Sequence, residues 1–151
     1  MSAETPRSSA DAPVLAVIAF GGGIGSVLRY ALSRSLNPPG GGFPTGTLII
    51  NIVGSALLGA LVVAVSEVWR PHRLVCPLLG TGVLGGFTTF STFALESRGL
   101  AGPAALGYVA ASLSGGLVTA FGAMGLTRGW AARRGAPGAH GAVDPVDPEL
   151  P

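Results

Sequence analysis

The sequence predicts an all-α membrane protein with four transmembrane helices. Three observations carry that reading. Of 151 residues, 48% are apolar and only 11% charged, where a soluble domain carries about 25% charged residues; too little polar surface is left for water. The charges are also unevenly placed: residues 14–28, 45–66, 74–95 and 100–127 contain no Asp, Glu, Lys or Arg. Finally, the segments between these stretches are short, with no room for an extramembrane domain.

Taken in order, residues 1–12 are polar and read as a disordered N-terminal segment. The first charge-free stretch is shorter than the ~20 residues a helix needs to cross ~30 Å of hydrocarbon. It reaches full length, as a span over 14–32, if Arg29 snorkels to the interface. A cleaved signal peptide with Arg7 as its basic end is the rival for this stretch, but the apolar run continues and no small-x-small cleavage site follows. The second and third spans, 45–66 and 74–95, need no such help. The fourth is placed at 103–126, where Pro103 suits a first turn whose N–H has no helical partner. The transmembrane domain is thus 13–128, followed by a tail at 129–151 whose Pro, Gly and Ala content reads as disorder.

An even number of spans puts both termini on one side. That side carries Arg7, Arg70, Arg73, Arg128, Arg133 and Arg134, and the other Arg29, Arg34 and Arg98. The excess favours cytoplasmic termini, yet it is small enough to permit insertion in both orientations. The arginines sit at span ends rather than on one basic face, which argues for membrane anchoring and against nucleic acid as a partner. Cys76 is the only cysteine, so no intrachain disulfide can form.

Polar residues recur within the spans. Thr47, Asn51, Ser55 and Gly59 follow at every fourth position and share a helix face; Tyr108, Ser112 and Gly116 do the same in the last span. Ser55, Gly59, Ser112 and Gly116, like the pairs Gly21/Gly25 and Gly82/Gly86, fit close helix packing. Asn51 differs, because its amide is costly to bury unpaired; it serves either as a packing partner or as part of a pathway. Four helices fill their own interior and leave no lumen. A water-filled path along these stripes therefore requires a second copy of the chain for its other wall.

The third span holds "GGFTTFSTF", with Gly85 and Gly86 at its middle. Two readings fit. The glycines either admit a neighbouring helix or, with Thr88 and Thr89 after them, break the helix. A break frees backbone groups that lipid cannot satisfy, and freed carbonyls suit a small hard cation such as Na⁺. Phe87, Phe90 and Phe93 recur at every third position, which is either a packed aromatic face or a row of ring edges. Ring edges are electropositive and attract a small anion without trapping it, while Ser91, Thr92 and Asn51 can donate hydrogen bonds to it.

"GGGIGSVLRY", "GTLIINIVGS" and "GTGVLGGFTTFSTFALE" together resemble the CrcB/Fluc family of fluoride channels. The likeness spans residues 21–125 and leaves out both tails. It implies an antiparallel, dual-topology homodimer in the cell (inner) membrane, each subunit with a broken third helix, and two narrow pores along the subunit interface. The resemblance further implies a structural Na⁺ held by the backbone carbonyls of Gly85 and Thr88. Phe90 and Phe93 would be the pore phenylalanines, Ser91, Thr92 and Tyr108 the polar track, and Asn51 the pore asparagine. Arg29 would lie near a pore mouth, and Phe87, at a variable family position, would serve packing.

The function so implied is passive export of fluoride from the cytoplasm. An inside-negative potential drives the anion outward by about 2.3 kcal/mol per charge per 100 mV, so no ATP site is needed, and "GGGIG" lacks the Lys-Ser/Thr end of a phosphate-binding loop. Two rivals stand beside it. A small proton-coupled antiparallel exporter would want a carboxylate within the membrane, whereas Glu67 and Glu96 lie at span ends. A non-conducting assembly subunit would use the stripes only to bind partner helices. No nucleophile–base pair or metal-ligand set falls within the spans, which argues against an enzyme. Arg29 and Glu96 close spans that finish on the same side, so they are expected to meet or to share one vestibule.

Overall fold

Every element in the computed structural model is helical among the described residues, which are 11–37, 42–69 and 71–134. Helix α1 is Ala12–Leu36 and α2 is Thr45–Val63, prolonged by a π-helical turn over Ala64–Val68. The third span, Pro77–Gly99, is made of three pieces. It opens as a π-helix, Pro77–Leu84, continues as α3, Gly85–Phe87, and ends as α4, Phe90–Gly99. Helix α5 is Gly102–Arg133. Four of these stretches are long and apolar enough to cross a membrane. The chain is a multi-pass membrane protein.

The span limits differ from those expected by a few residues: the first span extends beyond 14–32 at both ends, and the third runs from Pro77 to Gly99 rather than over 74–95. The larger difference is at the end of α5, which runs past residue 126 to Arg133, so the first residues of the expected tail are helical. Ala131 and Ala132 favour helix there, and Trp130 receives the Arg134 guanidinium 4.3 Å from its ring centroid, fastening the last turn. The rest of the expected tail, like residues 1–10, lies outside the described residues.

Glycines set the packing. Helix α1 crosses the third span so closely that a Cβ on Gly25 would collide with the Val83 carbonyl, and one on Gly86 with the Gly22 carbonyl. The paired glycine spacings therefore act as a clasp between two backbones. Helices α2 and α5 meet in the same way at Gly59, where a Cβ would strike the Ala120 carbonyl. Thr119 adds a hydrogen bond across that contact, its hydroxyl donating to the Ile52 carbonyl at 3.2 Å. Pro44 precedes α2 and offers no capping side chain; Asn37, at the end of α1, caps instead, its Oδ1 accepting from the Gly46 N–H at 2.9 Å. The α1–α2 connection is thereby tied to both helices.

Gly85 and Gly86 are themselves helical. The residues that leave helical geometry are Thr88 (φ −79°, ψ 158°) and Thr89 (φ −148°, ψ 120°), both extended. Thr88 is the central residue of the span, so two non-helical peptides sit at mid-depth in hydrocarbon. Their hydrogen bonds have to come from elsewhere.

Candidate functional site around Asn51, Thr88 and Thr89

The side chain of Asn51 supplies them. Its Oδ1 accepts from the Thr89 N–H at 2.9 Å and its Nδ2 donates to the Thr89 carbonyl at 3.1 Å. One amide side chain thus pairs with both backbone groups of one residue, as a neighbouring strand would. Gly54 and Ser55 complete the arrangement. A Cβ on Gly54 would run into the Thr88 methyl, so only glycine leaves room for Thr88, and Ser55 donates to the Asn51 carbonyl at 2.8 Å. The side chain of Thr89 then caps α4, its Oγ1 accepting from the Thr92 N–H at 3.2 Å and donating to Thr92 Oγ1 at 3.0 Å.

This pairing leaves specific carbonyls open. The Leu84 carbonyl receives both the N–H and the hydroxyl of Thr88, each at 3.0 Å. The Gly86 carbonyl receives Arg29 Nε at 3.1 Å. Thr89 N–H and Thr92 N–H would serve Gly85 and Thr88 in an unbroken helix, but both are diverted, to Asn51 and to the Thr89 hydroxyl. Among the described residues, nothing donates to the Gly85 or Thr88 carbonyl. Gly85 is moreover exposed on the surface of the single chain. Two bare carbonyls three residues apart suit a hard monovalent cation bound by oxygen alone, so the donor set fits Na⁺.

On the other side of Thr89, the amino-terminal turn of α4 carries the positive end of that helix. Ser91 is exposed there and Thr92 half-buried. From this turn a row of rings runs toward the end of the span. Phe90 and Phe93 have centroids 5.8 Å apart, Phe93 and Tyr108 5.4 Å, and Tyr108 and Phe43 5.5 Å in an edge-to-face contact. Phe90 is 78% exposed, while Tyr108 is fully buried. Phe87, by contrast, is buried, in the packing role expected of it.

Three cavities follow the same line. One of about 220 Å³ is lined by Asn51, Thr89, Phe90, Phe93 and Ser112, and a second of about 220 Å³ by Asn51, Gly54, Gly85 and Thr88. The third, about 530 Å³, lies at the span end between Phe43, Thr45, Glu96 and Leu100. Above it Glu96 is bound twice: Thr47 donates to Oε1 at 2.9 Å and Tyr108 to Oε2 at 2.8 Å.

The expected site residues are thus brought together in three groups. Asn51, Gly85 and Thr88 lie about the extended peptides; Phe90, Ser91, Thr92 and Phe93 open α4; Glu96 and Tyr108 meet at the span end. Arg29 and Glu96 do not meet within the chain. Arg29 is committed to the Gly86 carbonyl and Glu96 to two hydroxyls, and the ion pair among the described residues joins Arg128 to Glu67 at 2.7 Å. Sequence reasoning also missed two participants. Phe43 and Thr47 had no role beyond loop and stripe, and their signal is weak: a ring just before a span, and a hydroxyl one turn before Asn51. Ser112, which fits packing by sequence, has its Oγ buried with no hydrogen-bond partner among the described residues, beside Phe90 and Phe93.

Residues 16–126 match the family model described as "CrcB-like protein, Camphor Resistance (CrcB)". The chain belongs to the CrcB family. Its similarity to individual members runs over most of both sequences. It is 49% identical to fluoride-specific ion channel FluC 1 of Streptomyces coelicolor over 82% of this chain and 79% of that protein. With fluoride-specific ion channel FluC 2 of Nocardia farcinica it shares 41% identity over 92% and 98% of the two chains. With fluoride-specific ion channel FluC of Agrobacterium fabrum it shares 44% over 76% and 95%. The CrcB match covers all of the site residues named above.

Proposed function

We propose that this CrcB-family chain is a fluoride channel, not an enzyme, and that it lets fluoride leave the cytoplasm passively across the cell (inner) membrane. The observation that carries the reading is the Asn51–Thr89 pairing in a chain nearly half identical to a fluoride-specific channel. The pairing stabilises two extended peptides at mid-span. It thereby creates two electrically opposite helix ends facing one another: the carbonyls of Gly85 and Thr88 on one side, and the amino-terminal turn of α4 on the other. The first suits a structural Na⁺, held by those two carbonyls. The second, with Ser91, Thr92, the second amide hydrogen of Asn51 and the ring edges of Phe90 and Phe93, suits a dehydrated anion. The ion would supply local positive charge that holds the bare carbonyls together; the conduction itself falls to the chain's own donors.

A single copy leaves Gly85 and Ser91 exposed at or near mid-span, where lipid offers no hydrogen bonds and each unsatisfied group costs several kcal/mol. A second identical subunit covering that face removes the cost. An antiparallel partner brings a second pair of bare carbonyls against the first, and the weak arginine asymmetry permits both orientations. Each cavity beside Phe90 and Phe93 would then become part of one of two pores, with Glu96 toward its end.

Reconstitution into liposomes tests the reading. The protein should release fluoride but not chloride, electrogenically and without a pH gradient. Strict dependence on a proton gradient would instead indicate a coupled exporter, and absence of flux a non-conducting subunit.

A further inference from the structure

The geometry points to Arg29 as a positioning residue for the bound cation, acting through the Gly86 carbonyl; this rests on the sodium reading above. A helix end leaves its last four carbonyls without helical partners; the Thr88 N–H still reaches Leu84, so here these belong to Gly85, Gly86, Phe87 and Thr88. One of the four, Gly86, is taken by a side chain, that of Arg29. Gly85 is kept bare because the donor it would use is held on Asn51. Without Arg29, the Gly86 oxygen would be a further bare carbonyl next to Gly85, free to draw the ion or the turn toward itself.

Two features show that Arg29 is delivered to this spot rather than adrift in a vestibule. The donor is Nε, the least mobile nitrogen of the guanidinium, at 3.1 Å. And the glycine clasp lies one turn below: Gly25 against Val83 and Gly22 against Gly86 bring α1 onto the very peptide that Arg29 binds. The clasp and the arginine form one device, in which α1 fixes the rotation of the last turn before the extended residues.

Side-chain chemistry supplies the test. Gln carries its Nε2 the same number of bonds from Cα as the Arg Nε, so Arg29→Gln keeps the donor and removes the charge. Arg29→Met keeps the length and removes both. Thermal melting of the full-length protein in detergent is followed as NaCl replaces N-methylglucamine chloride at constant ionic strength. Sodium should raise the wild-type midpoint. Arg29→Met should need about tenfold more sodium for half of that rise, as expected from loss of one charge-assisted hydrogen bond, and Arg29→Gln should stay within about threefold of wild type. Equal shifts in the two variants, or no shift in Arg29→Met, would overturn the inference, because a residue acting only as fixed charge at a pore mouth loses as much in either. A wild-type midpoint indifferent to sodium would remove the sodium reading and this inference together, whereas a sodium-responsive wild type whose two variants respond alike removes this inference alone. If Arg29→Met assembles poorly, molar sodium should restore it; failure to restore it counts against the role.

Discussion

Tyr108 donates its hydroxyl hydrogen to Glu96 at 2.8 Å, and the phenol that does so is completely buried. Thr47, 1% exposed, reaches the other carboxylate oxygen at 2.9 Å. Three helices, α2, α4 and α5, are therefore joined through one carboxylate at the inner edge of the mouth cavity. Glu96 is the acceptor that makes it possible to bury both hydroxyls, and that fixes the ring of Tyr108 against Phe93 on one side and Phe43 on the other.

Replacing Glu96 by Ala strands two buried hydroxyls, each costing about 1–3 kcal/mol. Glu96→Gln keeps one acceptor oxygen and should cost less. Melting of detergent-solubilised protein should rank wild type above Gln above Ala, and Glu96→Ala combined with Tyr108→Phe should be less harmful than the sum of the two. Additive losses would show that the hydroxyl does not depend on the carboxylate.

Asn51→Ala takes the side-chain partner from both the N–H and the carbonyl of Thr89. The cost should be about 2–4 kcal/mol, the desolvation of a buried N–H and C=O together. Asn51→Asp retains the acceptor but loses the donor to the Thr89 carbonyl, and it adds a negative charge on the proposed anion path. Fluoride efflux should therefore fall further in Asp than stability does, whereas in Ala the two should fall together.

Gly54→Ala tests the same peptides from the other side. The Thr88 methyl cannot rotate away from a new Cβ without giving up its hydroxyl bond to Leu84, so the substitution should cost about 1–3 kcal/mol by overpacking. Thr88→Ser, which removes that methyl, should recover most of the loss in melting experiments, and Thr88→Val should recover none.

How much of this was legible in the sequence varies residue by residue. Three of the four spans follow from charge-free length alone, and the first from that length extended past a snorkelling Arg29. Asn51 stood out because its amide is costly to bury unpaired in an apolar helix, and it now has a physical task at Thr89; Gly54 gave no such signal, yet it makes the room that Thr88 needs. The extended pair was foreseen only as one of two readings, and it lies beyond Gly85 and Gly86 rather than on them, since an asparagine side chain, not glycine freedom, makes the departure affordable. Arg29 was legible as a charge but not as a ligand: its partner is a backbone carbonyl 57 residues away, and a carbonyl carries no residue-type signature.

Arg29 and Glu96 bind different groups, so their substitutions should combine without coupling. In a double-mutant cycle of Arg29→Met and Glu96→Gln, the interaction energy in stability should fall within about 0.3–0.5 kcal/mol of zero. A larger coupling in the assembled protein would mean that the two charges meet across the subunit interface.

Phe90 and Phe93 separate conduction from assembly. Isoleucine is apolar and close in bulk to part of a phenyl ring, so Phe90→Ile and Phe93→Ile preserve most dispersion contacts while removing the electropositive ring edge. Phe90 is largely exposed on the single chain and makes its ring contact with Phe93, so little of the fold depends on it. Both substitutions should therefore depress fluoride efflux from liposomes more strongly than they reduce the dimer fraction measured by cross-linking or size-exclusion chromatography. Phe93→Ile should show the larger stability change of the two, because its ring also packs against Tyr108. If flux and assembly fell in proportion for both variants, the rings would be interface packing and the anion would have to be led past them by hydroxyl and amide donors alone.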